Sequence, residues 1–500
     1  MTLSYRWTDE VKKNKLLGEN KERFYESIPT DDWPQIYRDA VMMTGYFHVQ
    51  YLWIDALCIV QDDPCDWEEQ AALMNIIYER GILNLAAPGL HVSRDPLSMF
   101  DCLLTRESGE PWVCANVEDE LDVLARFPLY QRGWTFQERL LSNRTLHFGR
   151  QLVWECDAGL ATEVCPELIT TKHDATRTIK RTFAGSQYKF PPPRMLVGAF
   201  SALWKMVVVS FSKMQLTYSS DKVPALQGIT NRLGYRLSLD PADYYVAGLW
   251  VVECSQLSWL RESHQNWLTS EDNEVACKPC KKPPSWSWTV CAEAVKIPGG
   301  AFQPIDLVVL GAVPVRSRDA GLRHMVTVHE CISTVLFKDN AAAREPEPFT
   351  GLTLRGKFIH WFQIHTILQL GQRTPEFTIK GYVPTDASKS GSFNIKIILD
   401  RPIPEHSSHK GLKLLPIHCN RSQGSSPDEM CGILLAFLGF DEGMALYRRL
   451  GQFQVVDLEG SPSCFLRYFH LPRERGTAET HEMPVGLQQE LDELPPFKVI

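Results

Sequence analysis

Two carboxylates stand out by their position in the chain. Glu138 follows Trp134 by four residues in "WTFQE", a spacing that sets both on one side of a helix. A carboxylate beside a tryptophan can have a raised pKa, or can hold a ribose hydroxyl as glycosidic chemistry requires. The plain alternative is a helix-surface ion pair with Arg139 or Arg144. Asp55 lies inside the apolar run Tyr51 to Asp63, "YLWIDALCIVQDD". A buried carboxylate is costly unless it is paired, and backbone N–H groups or an arginine such as Arg132 are available partners. Its functional alternative rests on position. Ligands of open parallel sheets bind beyond the carboxyl ends of the strands, and Asp55, Gln61 and Asp62 fall in the second half of this run or just after it.

The stronger catalytic signatures are missing. The sequence has no G-x-x-x-x-G-K-[ST], so Asp55 has no phosphate loop to serve, and no G-x-G-x-x-G, G-x-S-x-G or H-E-x-x-H. "HECIS" at His329 and "HEMPV" at His481 lack the second histidine. Cys277 and Cys280 form a single C-x-x-C, whereas a structural zinc needs four ligands, so a surface loop is expected and no metal. Trp286 and Trp288 in "PPSWSW" point to one side of an extended segment; a packed inter-domain segment is the expectation, an aromatic ligand shelf the alternative.

The elements that must position these residues alternate over the first 150 residues. "MTLSYRW" reads as a short strand. Ile36, Ala40, Met43 and Phe47 recur at helical steps. The run containing Asp55 reads as a strand whose unbroken apolarity suits burial on both faces. Asp63-Pro64 then offers an N-cap and a proline at the first helical position, with Trp67, Ala71, Met74 and Tyr78 as the apolar stripe. "GILNLAA" reads as the next strand, "PLYQRGWTFQERLLS" as a helix, and "TLHFGRQLVWEC" as a hairpin turning at Gly149-Arg150. Strand–helix alternation implies a parallel sheet with flanking helices. Residues 160–300 read as mainly helical, with two helices broken at "SSDKVP". From about residue 300 the pattern is β.

Five hundred residues are too many for one ordinary core. The composition is that of a globular protein, and a net charge of −8 without a long basic run gives nucleic-acid or anionic-membrane binding no support. No apolar run approaches the ~18 residues that span a bilayer, and the N-terminus has no secretory apolar segment. A cytoplasmic protein is expected. Its fourteen cysteines read as core residues rather than a disulfide frame.

Three blocks then carry a resemblance. "LSYRW", "YLWIDALCIVQDDPCDWEEQAALMNIIYERGILNLAA" and "RGWTFQERLLSNRTLHFGRQLVWEC" together resemble the heterokaryon-incompatibility (HET) domain of filamentous fungi, in the family's order and with its gaps. "TYSSDKVPALQGI", "YVAGLW", "QLSWL" and "PPSWSW" resemble segments that follow that domain in larger proteins. The resemblance implies a role in non-self recognition and programmed death of fused cells, through partners or self-association. It also implies a flavodoxin-like α/β fold similar to Toll-receptor-type domains, some of which cleave NAD with a glutamate in a W-x-x-x-E helix. Trp134 to Glu138 has that spacing. By this analogy Glu138 and Asp55 are the catalytic candidates, Tyr5, Trp7, Arg132 and Trp134 the ligand-binding ones, and NAD the candidate substrate. A non-enzymatic module signalling through protein contacts is the alternative. The family's glycine after the tryptophan of its first block is Thr8 here, which would hinder close approach of a ligand. The expected organisation is a HET-like α/β domain over 1–157, a mainly helical region over 158–295, a β-rich domain over 296–471 and a loosely held tail over 472–500.

Overall fold

The computed structural model describes residues 1–87, 102–105, 111–114, 127–149, 152–163, 166–167, 179–180, 193–237, 245–250, 257–262, 285–291, 293–297, 302–304, 307–309, 352–356, 360–361, 374–382, 392–401, 403, 412–420, 429–441, 443–457 and 497–499. The chain divides into two compact units, residues 1–189 with 213–239, and residues 190–212 with 240–500.

The first unit is built on a five-stranded mixed sheet. Thr2–Ser4 runs parallel to Asn84–Ala86, which runs parallel to Arg144–Phe148; Leu152–Cys156 and Leu160–Thr162 continue the sheet antiparallel. Thr2 also makes a single parallel bridge to Trp53 on its other side. The parallel positions therefore follow the order second, first, third, fourth, and the order reverses at Thr2–Ser4. Leu3, Leu85 and Leu146 from adjacent strands join Tyr37 and Ala40 of the helix Gln35–Tyr46 in one buried core.

The expected helix starts at Pro64 and runs to Arg80, with the Asp63 carboxylate accepting from Cys65 N and Asp66 N. That cap satisfies donors that no earlier turn can reach. The hairpin expected there forms between Arg144–Phe148 and Leu152–Cys156, with Leu146 opposite Trp154.

Two expectations fail here. The run from Tyr51 to Asp63 is not an unbroken buried strand: Tyr51 is exposed, only Trp53 bridges, and Asp55–Cys58 coil into a short helix. Asp55 promotes the turn by accepting from the next amide, Ala56 N, at 2.7 Å, a local bond that competes with a strand ladder. Leu57 N and Cys58 N both donate to Ile54 O. The helix expected from Pro128 is also interrupted. Pro128–Gln131 is a 3₁₀ turn, Arg132 is extended, and the helix proper is Gly133–Leu141. Arg132 breaks it because its backbone pairs with Gln215.

The helix Gly133–Leu141 is buried on nearly every side rather than along one stripe. The helix Pro224–Leu237 packs on it and on Pro64–Arg80. They come close at Gly228, where a Cβ would stand 2.7 Å from Asn75 Cβ and 2.8 Å from Leu141 Cδ1.

The second unit contains the helix Pro193–Ser212 and a ten-stranded, largely antiparallel sheet. The two helices expected around "SSDKVP" are thus present, with a 3₁₀ turn at Ser219–Lys222 between them. Within 160–300 the described residues also include short strand pairs, Tyr245–Val246 with Leu249–Trp250 and Leu260–Arg261 with Val295–Lys296. Trp286 and Trp288 are core residues: Trp259 Nε1 donates to Trp286 O and Trp288 Nε1 to Gly248 O, each at 2.9 Å. Of the stretch 472–500, Phe497–Val499 forms a strand between Leu352–Gly356 and Met444–Asp457. Cys277 and Cys280 lie outside the described residues. Among the described residues no helix is long and apolar enough to cross a membrane.

Candidate functional site

Tyr5 and Trp7 follow the carboxyl end of the strand Thr2–Ser4, at the point where the strand order reverses. The short helix at Asp55 lies beside them because Trp53 bridges to the same strand. Asp55 Oδ1 accepts from the Tyr5 hydroxyl at 2.6 Å, and Oδ2 from Trp7 Nε1 at 2.8 Å. With Ala56 N, three donors hold the carboxylate. The Tyr5 ring is buried and stands edge-on to Tyr37 at 5.8 Å, with the two hydroxyls 3.3 Å apart. Burial, and next the Asp55 charge, push the Tyr5 phenol well above its ordinary range. Trp7 is only half-buried.

Arg132 reaches the same residue from the other side. Its guanidinium donates to the Tyr5 carbonyl oxygen, not to Asp55. Asp55 and Arg132 are therefore joined through Tyr5, and the expected direct pair does not form.

Glu138 is 8 % exposed, which removes the surface ion pair from consideration; Arg139 pairs elsewhere. Burial raises the Glu138 carboxyl from 4.5 to about 7, a rise that the Ser4 hydroxyl, the Arg132 charge and the Tyr78 phenol reduce and the Asp55 charge supports. Ser4 is set by Asn84, whose Nδ2 donates to Ser4 Oγ at 3.1 Å and whose Oδ1 accepts from Thr2 Oγ1 at 3.0 Å. Tyr78 packs edge-on to Trp53 at 5.6 Å. Near neutral pH such a carboxyl exchanges a proton readily, as acid–base or ribose-binding chemistry demands.

Trp134 is turned elsewhere. It stands edge-on to Trp67 at 5.9 Å and donates Nε1 to Asp221 Oδ2 at 3.3 Å. Gln61 and Asp62 have structural duties: Gln61 Nε2 donates to the carbonyls of Asp55 and Ile59, and Asp62 Oδ1 accepts from Gly18 N. Thr8 has φ −105° and caps the helix Asp9–Lys13, so no glycine conformation is needed there.

A second buried polar group escaped the sequence reading. Glu155 accepts from Arg139 Nε at 2.9 Å and from Nη2 at 3.3 Å, contacts His147 Nε2 at 2.9 Å, and lies 3.9 Å from Lys180 Nζ. Burial alone would raise Glu155, but the charges of Arg139 and Lys180 and the His147 bond outweigh it and hold the carboxyl well below its ordinary range. His147 is pushed down by burial, against the pull of Glu155, and its Nδ1 meets the Tyr130 hydroxyl. Glu155 sits opposite Thr145 in the 144–156 hairpin, where strand alternation could have flagged an acid at a buried position. Ser4 and Tyr78 carried a weaker signal, since both read as ordinary strand and helix packing residues.

Residues 1–138 match the family model described as Heterokaryon incompatibility protein (HET). The chain carries a heterokaryon-incompatibility domain there, as the first blocks of the sequence imply. No curated protein and no solved structure matches the chain.

Proposed function

We propose, from the premise that residues 1–138 are a heterokaryon-incompatibility domain, that this chain acts in non-self recognition and programmed cell death through NAD cleavage by that domain. The observation that carries the reading is Glu138. It is buried, titrates near pH 7 and stands beside Arg132, Ser4 and Tyr78 at the edge where the strand order reverses. A flavodoxin-like assignment belongs to the same proposal; the parallel order second, first, third, fourth favours it, although an antiparallel hairpin follows where a fifth parallel strand would stand.

In this scheme the ionised Glu138 binds the nicotinamide ribose hydroxyls and stabilises positive charge at the ribose carbon. The bond from that carbon to nicotinamide breaks, water forms the new C–O bond, and the water proton passes to a carboxylate. Arg132 and Asp55 set the site through Tyr5, and Trp7 offers the half-exposed ring against which a base stacks. A cytoplasmic location and action through self-association or a protein partner complete the proposal, with no nucleic acid involved. The test is nicotinamide release from NAD by the purified chain and by Glu138→Gln. Catalysis by wild type alone supports the reading; equal inertness of both, also after forced clustering, overturns it.

One observation favours a non-enzymatic module instead. Asp55 has three internal donors, and Tyr5 is committed at both its hydroxyl and its carbonyl, which suits a rigid scaffold for protein contacts. A cell-killing assay separates the two, because a scaffold keeps killing when Glu138 is replaced by Gln in a folded chain.

A further inference from the structure

The helix Gln35–Tyr46 has two unlike faces. Tyr37, Ala40 and Thr44 are buried in the first unit. The other side is apolar and open: Val41 and Phe47 are exposed, Met42 is 65 % exposed and Tyr46 74 %. The Tyr46 and Phe47 rings stand edge-on at 5.4 Å and form one aromatic knob at the helix end. These four side chains leave about 500 Å² in water, from the ordinary areas of such residues. That lies in the range of the largest apolar patch on a monomer, ~300–600 Å². With its polar rim it approaches the ~600 Å² per partner at which specific interfaces begin.

Two features define what fits there. Arg38, Met42 and Tyr46 recur every fourth residue and make one exposed row along the helix. A two-fold axis through Met42 maps this row onto itself. Met42 then meets its own mate, and Arg38 of each copy meets Tyr46 of the other. A guanidinium over a tyrosine ring is attractive, and the same place faces the negative end of the second helix. The patch is thus its own complement, as an isologous contact requires.

Gly45 supplies the room. A Cβ on Gly45 would meet nothing within 4 Å, so no neighbour in its own chain calls for a glycine, which weakens a helix. Beside Met42 and Tyr46 it leaves a notch that lets a second backbone come close.

We propose that this face is a homodimer interface, in which two copies of the chain cross antiparallel at Met42. The proposal rests on the self-association in the functional reading and gives it a surface. The dimer is measured without NAD, so its failure and the failure of NAD cleavage are told apart.

Sedimentation velocity of the full chain between about 1 and 100 μM tests it. Wild type is expected to dimerise in that range. Met42→Glu places two carboxylates at the axis and should leave a monomer with an unchanged melting temperature, because the side chain is exposed. Arg38→Glu should weaken the dimer about tenfold or more, and adding Tyr46→Lys should restore it by setting opposite charges across the axis. Under mild oxidation Met42→Cys should cross-link to itself, as read by peptide mass spectrometry. Should the Met42→Glu chain misfold, the charge pair and the cross-link decide. A wild type that stays monomeric overturns the proposal, since the face is then kept for another partner or covered within the chain. So does a dimer that Met42→Glu leaves intact, or that Arg38→Glu with Tyr46→Lys fails to restore.

Discussion

Tyr5 donates its hydroxyl to Asp55 over 2.6 Å, and its carbonyl accepts from Arg132. One residue thus joins the short helix at Asp55 to the start of the Glu138 helix. Tyr5→Phe leaves a half-buried carboxylate one donor short, and Asp55→Asn replaces a charged acceptor by a weaker one. Each is expected to lower unfolding free energy by about 1–3 kcal/mol. In a double-mutant cycle followed by urea unfolding, the pair should show a coupling of about 0.5–3 kcal/mol. Strict additivity would mean that the bond contributes nothing.

Glu138 makes stability fall as pH rises. Its folded pKa of about 7 exceeds the ordinary 4.5, so between those values the folded chain binds more protons than the unfolded one. Stability is then complete below about pH 4.5 and is lost as pH climbs through 7, by on the order of 3 kcal/mol for the shift taken alone. Glu138→Gln should remove this dependence. Parallel stability–pH curves for the two proteins would show that Glu138 is not buried as described.

Glu155 has the opposite sign. Its carboxyl is held low by Arg139, Lys180 and His147 after burial is overcome, so its contribution is present above the ordinary carboxylate range and fades as pH falls through its folded value. Glu155→Gln leaves Arg139 and Lys180 buried without their counter-charge and should cost about 3–5 kcal/mol. Adding Lys180→Met should recover part of that loss. Chemical denaturation of the single and double variants measures both, and no recovery in the double variant would place Lys180 outside the network.

Much of this arrangement is legible in the sequence where the signal is local. Asp63-Pro64 announces a helix because the cap and the proline act on adjacent amides, and the helix starts there. "TLHFGRQLVWEC" announces a hairpin because turn and alternation sit within one short stretch. The run around Asp55 misleads because its apolar residues suit a buried strand, whereas the short helix there buries only Ala56; the side-chain bond to Ala56 N favours the turn. Arg132 and Arg139 were legible as partners for acids but not for which acids. Arg139, on the helix, meets Glu155 on the second strand of the hairpin, and Arg132 meets a backbone carbonyl contributed 127 residues away. Gln215 beside Gly133 carries no local signal at all, because the two meet through a backbone bond between segments far apart in sequence.

The NAD reading makes the protonation of Glu138 the switch for activity. The ionised form is the working one, so nicotinamide release should rise with pH around a midpoint near 7, unlike the stability of the same protein, which falls over that range.

The most direct measurement of the central claim is nicotinamide release from NAD by full-length wild type and Glu138→Gln, clustered and unclustered, across that pH range. The account expects turnover by wild type that grows through pH 7 and a loss of about a hundredfold or more in Glu138→Gln, the scale of a lost acid–base group. Equal rates for the two folded proteins, or no turnover by either under clustering, would contradict it.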